Sequence, residues 1–194
     1  AAKASGVTGG APDVERLMRE LGDRDWAVRK NAAVTLGNVK DARAVEPLIR
    51  AMWEGRLADI ENKPWEVQQA AAEALGQIGG VRAAEALVGV LGYKEWLGYD
   101  DVALRIVVAE ALGKIGDIRA VEPLIKKLED EEYMGDGDSH MRATIIASLG
   151  RIGDQRAVQP LIKKLKTVDD GDWRDINQTI AAAKALGEMG NVRA

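Results

Sequence analysis

The sequence predicts an all-α fold, an α-α superhelix of stacked antiparallel helix pairs. Three observations carry that expectation. The dipeptide Leu-Gly recurs at Leu36-Gly37, Leu75-Gly76, Leu112-Gly113, Leu149-Gly150 and Leu186-Gly187, with spacings of 39, 37, 37 and 37 residues. A common phrase follows it: DARAVEPLIRAM from Asp41, DIRAVEPLIKKL from Asp117, DQRAVQPLIKKL from Asp154, and a looser GVRAAEALVGVL from Gly80. The chain lacks Phe and Cys and is rich in Ala and Leu, which suits close helix packing better than sheets. Self-similarity at such a period is the signature of a repeat architecture.

Each copy reads as two helices. Helix A precedes Leu-Gly. In the third copy it is VALRIVVAEAL, and Leu104, Val108, Ala111 and Leu112 fall on one helical face. The same columns hold Val28, Ala32, Thr35 and Leu36 in the first copy. The Gly after each Leu is expected at the position just past the helix, where φ is positive and Gly is unstrained. Helix B follows a turn. Asp41, Asp117 and Asp154 are candidate N-caps. Pro47, Pro123 and Pro160 sit early in helix B, where a missing N–H does least harm. Val121, Leu124, Ile125 and Leu128 form its apolar stripe. One such pair cannot bury both stripes; stacked neighbours can.

The phrases ALGKIGDIRAVEPLIKKL and SLGRIGDQRAVQPLIKKL resemble the HEAT-like repeats of the phycobilisome-lyase type, and the artificial HEAT-like proteins built from a consensus. The resemblance covers about residues 11–194. It implies a HEAT/armadillo-like solenoid and is poorly specific for function, since the family includes scaffolds, lyase subunits and hydroxylases. Residues 1–10 are expected as a flexible tail and 11–194 as a single repeat domain. Within it a lone helix B at 11–21 precedes repeats at about 26–52, 65–91, 102–128 and 139–165 and a partial repeat at 176–194. VERLMREL, from Val14, matches VEPLIRAM, from Val45, so a helix B without its A opens the array and a helix A without its B closes it. The plain reading is a piece of a longer solenoid. The sharper one is end-to-end self-association through the unpaired helices.

Composition excludes several function classes. The 194 residues carry 31 acids and 27 bases, a net charge of −4, which gives no basic stripe for nucleic acid. No apolar run approaches the roughly 20 residues of a membrane span, and Ala1–Gly10 lacks the apolar core of a signal peptide. A cytoplasmic location is expected. Without Cys there is no disulfide, thiolate zinc site or Cys nucleophile. Gly6–Gly10 (GVTGG) lacks the Lys-Ser/Thr ending of a phosphate loop. His140 is the only His and reads as a surface residue at a helix start. The acidic runs Asp136, Asp138 and Asp169, Asp170, Asp172 do not follow the order of a calcium loop. No cofactor, metal or catalytic set is expected, so the chain is read as a non-enzyme.

The copies run longer than the family's basic unit, and the extra length falls between helix B and the next helix A. These linkers are residues 22–25, 53–64, 92–101, 129–138 and 166–175. Six of the eight aromatics lie in the four long ones: Trp53, Tyr93, Trp96, Tyr99, Tyr133 and Trp173. Trp26 and Trp65 open helices beside a linker, and no aromatic is expected within the stacked helical core. The long linkers sum to −11, leaving +7 for the rest. Insertions on one edge of a solenoid often form its binding face, and Trp and Tyr are enriched at hot spots. The expected partner is a protein or peptide, basic in character, held by these aromatics with Asp100, Asp101, Glu131 and Glu132. For any single aromatic the plain alternative is a ring folded back over apolar surface. The second-choice surface is the helix B groove with Glu46, Arg50, Glu122, Lys126, Lys127 and Lys163, where the acids and bases stand at helical spacing. Arg43, Arg82, Arg119, Arg156 and Arg193 form a column expected to bond neighbouring turns or helix ends.

A binding or scaffolding module is therefore the leading function. The alternative is a subunit of a bilin lyase-like enzyme holding a tetrapyrrole, implied by the resemblance. The hydroxylases of that family use repeated His-Glu pairs, which one His cannot supply. A DNA-binding concave groove is disfavoured by the acidic linkers.

Overall fold

The computed structural model describes residues 13–54, 64–92, 99–130, 138–165 and 176–191. Every regular element among them is helical. In chain order these are α1 (Val14–Glu20), α2 (Trp26–Val39), α3 (Val45–Glu54), α4 (Pro64–Ile78), α5 (Val81–Leu91), α6 (Tyr99–Ile115), α7 (Val121–Glu129), α8 (Asp138–Ile152), α9 (Val158–Leu165) and α10 (Ile176–Asn191). The even-numbered helices are the A helices and the odd-numbered ones the B helices. The A helices stack on one another in series as one layer, and the B helices form the other. None of the described helices is long and apolar enough to cross a membrane. The expected tail, residues 1–10, lies outside the described residues.

One continuous core runs between the layers. It takes Leu36, Leu75, Leu112 and Leu149 from the A helices and Leu48, Leu87, Leu124 and Leu161 from the B helices, all without solvent exposure. The stripes read from the sequence are the buried ones: Leu104, Val108, Ala111 and Leu112 in α6, and Val121, Leu124, Ile125 and Leu128 in α7.

The candidate caps act one step earlier than a simple helix start. Asp41, Asp117 and Asp154 each accept a hydrogen bond from the backbone N–H two residues on, and each opens a short 3-10 turn that leads into α3, α7 or α9. That turn consumes the first orphan N–H groups of the helix.

The Leu-Gly glycines require a correction. They do not follow the A helices but lie inside them, because α2, α4, α6 and α8 each run two residues past the Gly. Positive φ falls three residues later, at Lys40, Gly79, Gly116 and Gly153. The Leu-Gly glycine serves approach rather than dihedral freedom. A Cβ on Gly37 would stand 2.8 Å from the Cα of Ala74, and one on Gly76 the same distance from the Cα of Ala111. On Gly113 it would meet Ser148 Oγ at 2.7 Å, and on Gly150 the Cβ of Ala185 at 2.5 Å. Successive A helices thus touch backbone to backbone through Gly against Ala or Ser.

Residues from three of the expected linkers also belong to helices, Pro64 opening α4 and Glu129 closing α7 among them. Helix α6 begins at Tyr99, so Tyr99, Asp100 and Asp101 belong to its first turn and not to the linker. Trp53 lies in the last turn of α3, and Asp138 opens α8.

Candidate functional site

The B layer is held along its surface by a repeating ion-pair ladder. Arg82 Nε lies 2.6 Å from Glu46 Oε1, Arg119 Nη1 2.9 Å from Glu85 Oε1, and Arg156 Nη1 3.4 Å from Glu122 Oε1. Arg43 stands 4.0 Å from Glu15 in the same register. Arg43, Arg119 and Arg156 leave the turn before a B helix and Arg82 the first turn of α5, and each reaches a glutamate near the start of the preceding B helix. Arg43, Arg119 and Arg156 also bind the capping aspartate of their own turn, and Arg156 donates to the carbonyl of Ile118 at 3.0 Å. The arginine column thus forms a ladder at Arg43, Arg82, Arg119 and Arg156, running mainly to glutamates of the preceding B helix, with only Arg156 also reaching the previous turn; Arg193 lies outside the described residues. The glutamates' first partners are these arginines from the next repeat, not bases on their own helix.

Charge follows the contacts. The Arg82 guanidinium holds the Glu46 carboxyl below the usual carboxylate range, and Arg43 does the same for Asp41. Arg43, Arg82 and Arg156 are shifted up by their hydrogen bonds to Asp41, Glu46 and Asp154 in turn. Glu46 and Glu122, named as groove residues, are thereby tied into the ladder.

Between the B helices the surface opens into depressions. The larger described one, about 440 Å³, lies between α5 and α7. Val88, Leu91 and Gly92 line it from the α5 side, and Glu122, Pro123, Lys126, Lys127 and Asp130 from the α7 side. Lys127 has 12% of its side chain exposed and stands 3.9 Å from Asp130. A smaller depression of about 160 Å³ occupies the equivalent place between α1 and α3, lined by Met18, Arg19, Leu21, Gly22, Pro47, Arg50 and Ala51. Arg50, Lys126 and Lys163 occupy one column of the B helices and are all exposed. The α5 member of that column is Gly89, whose missing side chain leaves room for the Trp53 ring of α3. Another opening, about 740 Å³, lies on the A layer between α8 and α10, where His140 is an exposed lining residue with Ala143, Ile180 and Lys184.

The structure brings three of the second-choice residues, Glu122, Lys126 and Lys127, around one depression, and places Arg50 on another. Lys163 lies on α9 away from both. Val88, Leu91 and Pro123 are not among the site residues expected from the sequence, where Pro123 reads only as an early helix B proline.

Of the aromatic set, Trp53 corrects the expectation that the aromatics stay out of the helical core. It is half-buried and packs against the core, with its ring Cζ2 3.6 Å from where a Cβ on Gly89 would stand. Trp26 is likewise half-buried against the core. Tyr99, Asp100 and Asp101 are in the first turn of α6. Tyr93, Trp96, Tyr133, Trp173, Glu131 and Glu132 lie outside the described residues. Among the described residues no cluster of His, Cys, Asp and Glu has the makings of a metal site.

Comparison with known proteins agrees with this architecture. The family pattern described as HEAT repeats matches residues 14–97 and 100–180. No curated protein sequence matches the chain. Among solved structures, the complex of CpcE and CpcF of phycocyanin lyase from Nostoc sp. PCC7120 is similar in fold. Its TM-score is 0.69 at 23% identity, over 98% of this chain and 70% of that one. Human deoxyhypusine hydroxylase in complex with glycerol aligns at a TM-score of 0.45 and 15% identity, over 94% of this chain and 86% of that one. With stacked A–B helix pairs through its described length and the family pattern over most of the sequence, the chain belongs to the HEAT-repeat family.

Proposed function

We propose that this chain is a non-catalytic protein-binding module whose site is the depression between α5 and α7. The observation that carries the reading is the depression itself. It has an apolar floor of Val88, Leu91 and Pro123 with a charged rim of Glu122, Lys126, Lys127 and Asp130. An apolar anchor would fill the floor, and the rim would select its flanks. Gly92 and Asp130 also belong to the most aromatic linker, 92–101, and the most acidic one, 129–138. Those linkers supply Tyr93, Trp96, Tyr133, Glu131 and Glu132. Their charge favours a basic partner segment, steered by the acidic run and anchored by an apolar residue.

The test is capture of a partner from source lysate by three proteins. These are the parent, Val88→Ser/Lys126→Glu, and a variant with Trp96, Tyr99, Tyr133 and Trp173 changed to Ala. A partner held by the parent and lost by the first variant, with the helical signal retained, supports the depression. Loss only in the aromatic variant moves the site to the linkers. Equal capture by all three defeats both. Tetrapyrrole binding, suggested only by the likeness in fold to phycocyanin lyase subunits, is checked by whether the purified protein retains added bilin.

A further inference from the structure

The depression between α5 and α7 lies next to a B-helix joint that is built differently. Between α3 and α5, the last turn of α3 carries Trp53, whose ring Cζ2 lies 3.6 Å from where a Cβ on Gly89 of α5 would stand. The indole is half-buried there and packs against the core. One repeat on, Gly92 stands in the place of Trp53 and Lys126 in the place of Gly89. Gly92 and Lys126 both line the α5–α7 depression. The joint between α1 and α3 agrees: Gly22 and Arg50 hold the same two places, and both line the smaller depression. A ring occupies the seat in one joint, and where glycine replaces the ring the seat is a depression.

Nothing in the backbone requires that glycine. Gly92 has φ −83° and ψ −7°, an ordinary right-handed conformation. A Cβ added there would find its nearest neighbour, the Val88 carbonyl oxygen, at 3.7 Å. The seat is open for want of a side chain, not for want of room.

The charges around the seat differ in how far they are engaged. Glu122 is held by Arg156 at 3.4 Å, and Lys127 stands 3.9 Å from Asp130. Lys126 is exposed and has no ion pair among the described residues. Its aliphatic stem can lie along a flat apolar group. Its ammonium favours the electron-rich face of an aromatic ring over an aliphatic side chain.

From these observations we infer that the α5–α7 depression receives one aromatic side chain, an indole above all, presented by a partner protein. The ring takes the place that Trp53 holds one repeat earlier, against Val88, Leu91 and Pro123, with Lys126 at the rim. The inference rests on the depression being the binding site and names the anchor that it takes.

Methyl NMR on the intact chain tests this, with N-acetyl-tryptophanamide and N-acetyl-leucinamide as probes. The tryptophan probe should move the Val88 and Leu91 methyl signals upfield and saturate. The leucine probe should bind roughly five-fold to ten-fold more weakly. Lys126→Gln should weaken the tryptophan probe roughly three-fold and leave the leucine probe unchanged. Gly92→Trp supplies the ring from within the chain, as Trp53 does. It should abolish the probe shifts with the thermal transition no lower than the parent's. Full probe affinity in Gly92→Trp overturns the proposal. Equal affinity for the two probes overturns the aromatic preference and leaves the depression as the binding site. Absence of shifts with either probe overturns the inference, while capture with Val88→Ser/Lys126→Glu still decides the depression separately. Upfield methyl positions in the free parent that vanish when Tyr93 and Trp96 are changed to Ala overturn it too, because the chain's own ring then fills the seat.

Discussion

The two layers of this molecule are built on opposite principles. In the A layer, successive helices touch backbone to backbone through Gly37, Gly76, Gly113 and Gly150 against Ala74, Ala111, Ser148 and Ala185. In the B layer, successive helices stand apart, leave depressions, and are bridged at one end by exposed arginine–glutamate pairs. Close contact tolerates almost no change of side chain, because an added atom meets backbone. Spaced helices tolerate much, because the atoms added there meet solvent. The A layer therefore fixes the repeat, and the B layer is where a surface can be specialised. The sequence follows this division. The Gly column of the A helices is invariant across the copies, while the column Arg50, Gly89, Lys126, Lys163 of the B helices is not.

The largest expected effect tests the A side. Gly113→Leu must displace Ser148, whose Cα lies 2.9 Å from the added Cβ, and with it the Ser148–Ala109 hydrogen bond. Overpacking of this kind costs about 3 kcal/mol, offset in part by the roughly 1 kcal/mol that Gly loses to other residues in a helix interior. At this chain length the net loss of about 2 kcal/mol is a fall in Tm of roughly 4–8 °C. The same change at Gly187, where the neighbour is absent, leaves only the helix-propensity gain and should hold or raise Tm. Equal losses at the two sites would show that the glycines matter for backbone conformation after all.

A smaller effect tests how the B helices begin. Asp117→Ala removes the acceptor for the Arg119 N–H at the turn before α7 and one of the two carboxylates that Arg119 binds. Loss of such a cap costs about 1 kcal/mol. The looser copy already lacks this residue, with Gly80 in the cap position and no side-chain bond there. Gly80→Asp is not a simple repair, because its φ of 90° suits only Gly. Thermal melts of Asp117→Ala against the parent measure the cap directly.

The comparison also explains what could be read in advance. Periodicity exposed the helices, stripes and caps because each repeats in register, and five copies of Leu-Gly leave little ambiguity. The role of the Gly was misread because a helix end and a close approach both select Gly. Only the position of the neighbour separates them, and Ala74 lies 37 residues from Gly37. The depression between α5 and α7 was invisible for a related reason. It lies between B helices of successive repeats, and the space between them is a property of the stack rather than of either helix. Trp53 shows the same limit. Its place in a long linker put it on the expected binding edge, with a folded-back ring as the alternative, and the absent side chain at Gly89, in the next B helix, makes room for the folded-back ring.

The smallest effect is electrostatic and belongs to the B layer alone. Glu46 is held below its ordinary range chiefly by its hydrogen bonds from Arg82. A carboxyl whose pKa is lower when folded stabilises the fold above its unfolded value, and that stability is lost as pH falls through the folded value. The contribution should therefore be complete near neutrality and fade below about pH 4. The pair is well exposed, so its effect should also shrink with added salt. Glu46→Gln isolates it. The Tm difference between parent and variant should be small at neutral pH, smaller still in high salt, and close to zero in acid, where both side chains are neutral. A difference that persists unchanged in acid would mean that Glu46 acts through packing. The B layer would then be held by the same short-range fit as the A layer, and the contrast between the two would be one of spacing alone.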